Sequence, residues 1–130
     1  LGAAPQSECE LAGACNSLER EEDPEGLWRG FVNEQLAGDY QILFSQLDRL
    51  IFLAAPSFDS VLTWRIRQES RLRAREFHSA PLASVLMNEA QVERFVQHFE
   101  RLTKHCLALL PSIADTVFEL DTNQRIIDRR

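Results

Sequence analysis

An apolar run that leads directly into turn residues constrains the fold of this chain most. The segment "RLIFLAAP", residues 49–56, is too short for a helix of its own and is typical of a strand buried on both faces. Pro56 closes this strand, and Ser57 can cap a helix that follows immediately. A second β-prone segment, "DTVFEL" at 115–120, is followed by the turn-forming residues "DTNQ". The pattern therefore predicts two strands.

Two further segments have the periodicity of amphipathic helices. Apolar residues from Phe31 to Leu47 return at steps of three and four, which predicts a helix over 27–47 with Gly38 as its weak point. A later helix begins at the capping pair Asn88 and Gln91 and ends near Pro111. Its predicted buried stripe consists of Val92, Phe95, Val96, Phe99, Leu102 and Cys106.

Strands that alternate with long helices predict an α/β fold with a mainly parallel sheet. We expect Phe95 and Phe99 to pack the later helix against the side of the sheet that carries Ile51 and Leu53. The acidic segment 8–25 is predicted to be a solvated loop that needs no regular structure. Two strands make a poor sheet, because a doubly wound sheet usually has about five. The chain is therefore interpreted as a single partial domain, 1–130, from the later part of a larger α/β domain.

Charge and composition exclude several classes of function. A formal net charge of −6 and an isoelectric point near 5.0 argue against general binding to nucleic acid or anionic lipid. The longest apolar run is far shorter than the ~20 residues that cross a bilayer, so no membrane association is predicted. Three cysteines without a close pair predict neither a disulfide framework nor a metal site. We expect a protein of the reducing cytoplasm.

One short segment is strongly basic, although the chain as a whole is acidic. "WRIRQESRLRARE", residues 64–76, contains five arginines on the helix predicted after the first strand. Such a cluster suits a small anion, because guanidinium groups bind phosphate oxygens through two-point contacts. The alternative is a solvated helix face on which Glu69 and Glu76 form exposed ion pairs worth ~0.5 kcal/mol or less each. Trp64 could stack on a guanidinium, although a tryptophan at such a position is more often a core residue.

Five segments in a fixed order resemble one family. They are "VNEQL" with Tyr40 beyond it, "DRLIFLAAPS", "WRIRQE" with Arg73 beyond it, "MNEAQVERFV" and "DTVFELD". Together they resemble the C-terminal half of D-glycerate 3-kinase-type P-loop kinases, relatives of uridine kinase and phosphoribulokinase. The resemblance implies a P-loop NTPase-type parallel sheet flanked by helices, ATP and Mg²⁺ as cofactors, and phosphoryl transfer to a hydroxyl of glycerate or a similar small metabolite.

The phosphate-binding loop of that family has no counterpart in these residues. Its pattern is G-x-x-x-x-G-K-[ST], in which backbone amides, lysine and hydroxyl hold ATP and Mg²⁺. The five glycines of this sequence are scattered, and none begins such a pattern. We therefore expect a partial kinase that is inactive by itself, with the main ATP and Mg²⁺ ligands upstream. The connection 77–86 is also longer and more apolar than the family's link.

The resemblance assigns phosphate contacts to the arginine-rich helix, about 57–76, which corresponds to the family's ATP lid. Arg65 and Arg73 match the positions that contact the transferring phosphates. Arg67 and Arg71 fit the same chemistry but lie outside the family pattern. All four are predicted cofactor-binding residues, and a solvated helix face is their ordinary alternative.

Three residues are assigned to the substrate side. Asn33, in "VNEQL", resembles a family position near the acceptor, while Asn16 and Glu19 lie where the family's substrate loop would run. The ordinary alternatives are an exposed helical asparagine and a charged surface loop.

Two functions stay open: an ATP-dependent kinase for a small hydroxyl-bearing substrate, or a non-catalytic helical interaction module that binds an acidic partner. Neither the acceptor nor the oligomeric state follows from the sequence.

Overall fold

The computed structural model describes residues 2–76 and 86–130. Within these ranges the helices are α1 (Glu8–Leu11), α2 (Ser17–Glu22), α3 (Leu27–Ala37), α4 (Asp39–Phe44), α5 (Phe58–Glu76) and α6 (Glu89–Leu109). The strands are β1 (Ile51–Ala54), β2 (Thr116–Leu120) and β3 (Ile126–Arg129), and a short 3₁₀ turn (Leu110–Ser112) follows α6. The predicted mixture of strands and helices is confirmed. The predicted long connection 77–86, apart from Leu86, lies outside the described residues.

The strands form one sheet in the order β1-β2-β3 within the described ranges. β1 and β2 are parallel, with Ile51 opposite Thr116 and Ala54 opposite Glu119. β3 then adds antiparallel to β2 through the turn after Asp121, where Gln124 has a left-handed φ of 64°. β3 was not predicted, because the charged and short "RIIDR" shows no clear alternation. The turn "DTNQ" and the two predicted strands are confirmed.

The two long helices begin where their capping residues predict. Ser57 accepts a hydrogen bond from the Ser60 backbone N–H at 3.2 Å, just ahead of α5. Asn88 and Gln91 form a reciprocal capping box at the start of α6, with N···O distances of 2.9 and 2.8 Å. Both starts rest on local side-chain contacts, which explains why the sequence alone locates them.

The acidic segment 8–25 is not the unstructured loop that its composition predicts. It contains α1 and α2, and each has a cap of its own: a Ser7–Glu10 capping box and Asn16, whose side chain accepts from the Glu19 N–H at 3.0 Å. Leu18 of α2 is buried. The prediction was wrong because a high density of acidic residues concealed two short helix starts.

The buried apolar core draws one or two residues from each of several elements. Its members are Leu18, Leu36, Val92, Val96, Leu110 and Val117. Val117 lies on the side of the sheet that carries Phe52, whereas Ile51 and Leu53 point to the other side. The side chains of Ile51 and Leu53 are 62% and 58% exposed. The prediction of a strand buried on both faces is therefore wrong for this chain.

The prediction that Phe95 and Phe99 pack α6 against the sheet is also wrong. Phe95 and Phe99 are 40% and 53% exposed, while Val92 and Val96 of the same helix are buried. The apolar stripe of α6 is thus wider than the surface that covers it. Helical spacing identifies apolar positions correctly, but it does not tell which of them have a partner.

The predicted helix 27–47 is divided in two at Gly38, between α3 and α4. Leu36 is buried, but most of the predicted apolar stripe is exposed. The exposed side chains of this region are Leu27, Trp28, Phe31, Val32, Tyr40, Ile42, Leu43 and Leu47. The apolar face exists as predicted, but these described residues leave it uncovered.

No helix of the described ranges is long and apolar enough to cross a membrane.

Candidate functional site

The arginine-rich helix α5 borders a groove of about 530 Å³. The groove is lined by Val61, Trp64, Arg65, Arg67, Gln68, Arg71, Leu72 and Gln124, and none of these carries a carboxylate. α5 follows directly on β1, and Gln124 lies in the turn after β2. The groove therefore lies at the carboxyl edge of the parallel strand pair, where open α/β sheets bind their ligands.

Arg65 is the most constrained of the groove arginines. Its Nη2 lies 2.5 Å from Glu69 Oε1, and its Nη1 donates to Gln68 Oε1 at 3.0 Å. Its guanidinium also lies 5.8 Å from the centre of the Phe95 ring. Two contacts thus leave the other N–H groups of the guanidinium available to a ligand.

Arg67 and Arg71 differ from Arg65, because both are exposed and neither has an ion-pair partner among the described residues. Arg73 lies outside the groove lining and donates from Nη2 to the Met87 carbonyl at 2.7 Å. The fold therefore brings Arg65, Arg67 and Arg71 together, and directs Arg73 toward the segment before α6. A role for any of them in cofactor binding stays a prediction.

Trp64 fixes α5 against the sheet. Its indole Nε1–H donates to the Thr122 carbonyl at 2.7 Å, in the turn after β2. The ring also lines the arginine groove and is partly exposed. It is therefore neither a free stacking surface nor a fully buried core residue.

A second cavity, of about 400 Å³, lies between α2, α3 and α6. Asn33 and Glu19, two of the predicted substrate residues, line it together with the apolar side chains of Leu18, Val32 and Leu102. The wider lining also includes Gln6, Glu22, Asp23, Trp28, Arg29, Gln97, His98 and Arg101. The third predicted residue, Asn16, is not in the lining.

The two asparagines bind the protein itself. The Asn33 amide forms two hydrogen bonds with the Gln6 backbone, from Gln6 N–H at 2.6 Å and to Gln6 O at 3.0 Å. Asn16 caps α2 and donates to the Gln97 carbonyl at 2.9 Å and to Glu100 Oε2 at 3.0 Å. In this state these amides hold segments of the wall in place, so that Asn33 is not the freely exposed residue of the ordinary alternative.

Glu19 joins α2 to α6 through a pair of charged hydrogen bonds. Its carboxylate accepts from Arg101 Nε at 2.8 Å and from Arg101 Nη2 at 2.6 Å, and also from the Cys15 N–H at 2.8 Å. Burial alone would raise the pKa of the Glu19 carboxyl, but these hydrogen bonds outweigh it and lower that pKa to about 2. Burial beside Glu19 raises the pKa of the Cys15 thiol to about 11.

Two arginines that line this cavity, Arg29 and Arg101, were not predicted as site residues from the sequence. Arg101 bonds to Glu19 and to two backbone carbonyls of the 10–13 segment. Arg29 pairs with Asp23 at 3.1 Å and is buried. The partners of Arg101 lie more than 80 residues away in the chain, so local spacing carries no signal of its pairing. The cations of the wall are thus neutralised by carboxylates of the same wall.

The side chains of the described residues can be compared with what an anion and what a metal ion require. The three guanidinium groups of the groove, of which only Arg65 is paired with a carboxylate among the described residues, are donors that suit anionic oxygens. Among the described residues, no three His, Cys, Asp or Glu side chains converge as a metal site would require. His98 and His105 therefore belong to no such group within the described ranges.

Comparison with known proteins gives two informative matches. No family model matches the chain. A protein of Schizosaccharomyces pombe, described as an uncharacterized kinase, is 36% identical over 101 residues, which are 76% of this chain and 32% of that protein. A D-glycerate 3-kinase from Cryptococcus neoformans matches in structure with a TM-score of 0.70 and 18% identity, over 99% of this chain and 46% of its own.

The resemblance to D-glycerate 3-kinase-type kinases is confirmed. This chain has the fold of part of such a kinase, and it spans about a third of the curated relative's length and under half of the solved one's. The five segments of the resemblance lie on α3, on β1 and the turn after it, on α5, at the start of α6 and on β2. Two of these segments, those on β1 and α5, lead to the arginine groove of this kinase-like fold.

Proposed function

We propose that the full-length protein containing this chain is an ATP-dependent kinase, which transfers a phosphoryl group to a hydroxyl of glycerate or a similar small metabolite. One observation carries the proposal: three arginines without a lining carboxylate share a groove at the carboxyl edge of a parallel strand pair. The similarity to a kinase of Schizosaccharomyces pombe supports the reaction class. The fold of a D-glycerate 3-kinase supports the acceptor class.

The arginine groove takes the phosphate side in this proposal. ATP supplies the phosphoryl group, and Arg65, Arg67 and Arg71 neutralise charge on the phosphate oxygens. Arg65 is best placed to act in the transition state, because Glu69 and Gln68 already hold its guanidinium. The Mg²⁺ ligands and the phosphate-binding loop belong to a part of the protein outside these residues.

The cavity between α2, α3 and α6 takes the acceptor side. Asn33 and Glu19 belong to its wall, and Asn16 supports that wall from behind. Since their polar atoms already bind the protein, they set the shape of the cavity more than they read hydroxyl groups directly. Polar atoms that remain for a ligand include the indole N–H of Trp28 and the amide nitrogen of Gln97, for which the described residues offer no partner.

An interaction module that binds an acidic partner is the competing function. The exposed arginines Arg67 and Arg71 fit it as well as they fit ATP. The broad uncovered surface of α3, α4 and the sheet does not, because that surface is apolar and an acidic partner would not cover it. Steady-state kinetics on the full-length protein separate the two functions.

Replacement of one groove arginine tests the proposal. Arg65→Ala should lower kcat for ATP-dependent phosphorylation of a hydroxy acid by roughly two to three orders of magnitude, as loss of a donor to transition-state charge does. Arg20→Ala is the matched control, since Arg20 is exposed on α2 and is not among the residues that line the groove. A kcat that survives Arg65→Ala, or that Arg20→Ala lowers equally, would contradict the phosphate role of the groove.

A further inference from the structure

Glu69 is a buried carboxylate inside the arginine-rich helix. Its relative exposure is 6%, although its neighbours Gln68 and Ser70 are exposed. It lies four residues after Arg65 and four residues before Arg73, so the three side chains follow one stripe of α5. The two arginines that match the family's phosphate-contacting positions therefore flank one acidic residue.

The carboxylate is only half satisfied. Oε1 lies 2.5 Å from Arg65 Nη2, whereas Oε2 is buried and has no hydrogen-bond partner among the described residues. Arg73, the cation on the other side, donates to the Met87 carbonyl. Burial of a carboxylate costs free energy that one ion pair seldom returns, so stability alone does not account for a glutamate here.

The contact does have a clear effect on Arg65. A free arginine side chain populates many rotamers, and ordering it costs free energy at the moment a ligand binds. Glu69, Gln68 and the Phe95 ring hold the guanidinium at the groove before any ligand arrives. Pre-organised donors of this kind act in catalysis without having to reorganise.

We propose that Glu69 is a positioning residue that fixes the Arg65 guanidinium for contact with the transferring phosphoryl group. The inference rests on the proposed function, because it needs Arg65 to engage phosphate. It assigns Glu69 no contact with substrate. It predicts that loss of the carboxylate impairs the chemical step while the fold survives.

The test is a double-mutant cycle in the full-length protein. Glu69→Ala should lower kcat roughly ten- to a hundredfold, because a displaced donor loses much of its transition-state contact, and KM for ATP should change less than kcat. Glu69→Gln keeps an acceptor oxygen for Arg65 and should retain more of the activity than Glu69→Ala. In an Arg65→Ala background, Glu69→Ala should cause no further loss of kcat. Glu21→Gln, which removes an exposed carboxylate 3.1 Å from Arg94, is the matched control and should leave kcat unchanged.

The outcomes separate the inference from the proposed function. If Arg65→Ala alone retains wild-type kcat, the phosphate role of the groove and this inference are both overturned. If Arg65→Ala is impaired but Glu69→Ala and Glu69→Gln retain wild-type kcat, the inference alone is wrong. Thermal unfolding supplies the remaining readout: a variant that only lowers Tm, with kcat per folded molecule unchanged, would make Glu69 a structural residue. Equal losses of kcat in the wild-type and Arg65→Ala backgrounds would likewise overturn the positioning role.

Discussion

The charged residues of the N-terminal segment are bonded to distant parts of the chain. Glu19 and Arg101 connect α2 to α6, and Arg101 also binds the carbonyl groups of Glu10 and Gly13. The side chains of Glu19 and Arg101 are each 11% exposed, so water screens this pair less than it screens a surface pair. One ion pair thereby holds the short helices of an acidic segment on the longest helix of the described chain.

The first prediction concerns the stability that Glu19 contributes. Its folded-state pKa of about 2 lies below the ordinary 4.5, so its contribution is complete above about pH 4.5 and is lost as the pH falls toward 2. Glu19→Gln should therefore lower the free energy of unfolding of the full-length protein by roughly 2 kcal/mol at pH 7. At pH 3 the difference between wild type and variant should shrink by more than half.

Denaturant unfolding at both pH values measures this difference. Glu93→Gln is the control, because Glu93 is exposed on α6 and has no ion pair among the described residues, and it should change stability by less than about 0.5 kcal/mol. A Glu19→Gln difference that is the same at pH 7 and pH 3 would argue against a lowered pKa.

At the scale of elements, local signals account for what could be predicted. The starts of α5 and α6 were located because Ser57, Asn88 and Gln91 contact backbone groups only three residues away. β3 was missed because its pairing with β2 is settled by the turn at Gln124 and not by its own composition. Asn16 and Glu19 were predicted as substrate-binding residues from the family resemblance, but their partners on α6 are set by tertiary packing, which no spacing rule reveals.

Helix α5 is held at both ends of the arginine stretch. Trp64 is bonded to the turn after β2, and Arg73 to the carbonyl of Met87 before α6. A closing movement of α5 over a nucleotide would have to break these contacts or carry their partners with it. The described contacts thus favour a groove that exists before ligand binding.

The second prediction tests this attachment. Trp64→Phe removes the donor to the Thr122 carbonyl, and a hydrogen bond of this kind contributes about 1 kcal/mol. Amide hydrogens of α5 in the full-length protein should then exchange roughly fivefold faster, while those of α6 keep their rates. Trp28→Phe is the control, because Trp28 is 68% exposed and its indole N–H has no partner among the described residues. Unchanged α5 exchange in Trp64→Phe would show that the contact does not restrain the helix.

The described residues leave much apolar surface uncovered at the scale of the whole molecule. It extends over α3 and α4, over Ile51 and Leu53 on one side of the sheet, and over Phe95 and Phe99 on α6. Patches of this kind on a folded protein mark surfaces that another part of the protein or a partner covers. β1 is an edge strand of the described sheet. This chain covers 46% of the D-glycerate 3-kinase. We therefore expect another part of a longer protein to cover this surface.

The last prediction compares one apolar residue in two settings. Phe31 is 54% exposed on α3, so in the isolated 130-residue chain Phe31→Gln should cost less than about 0.5 kcal/mol of unfolding free energy and should reduce self-association in sedimentation velocity. In the full-length protein the same change should cost roughly 2 kcal/mol or more, because it would remove a buried aromatic side chain. Val92→Ala is the control that should destabilise both forms, since Val92 is 1% exposed here already. If Phe31→Gln is equally mild in both forms, the surface of α3 stays uncovered in the full-length protein, and a separate binding partner becomes the better explanation for it.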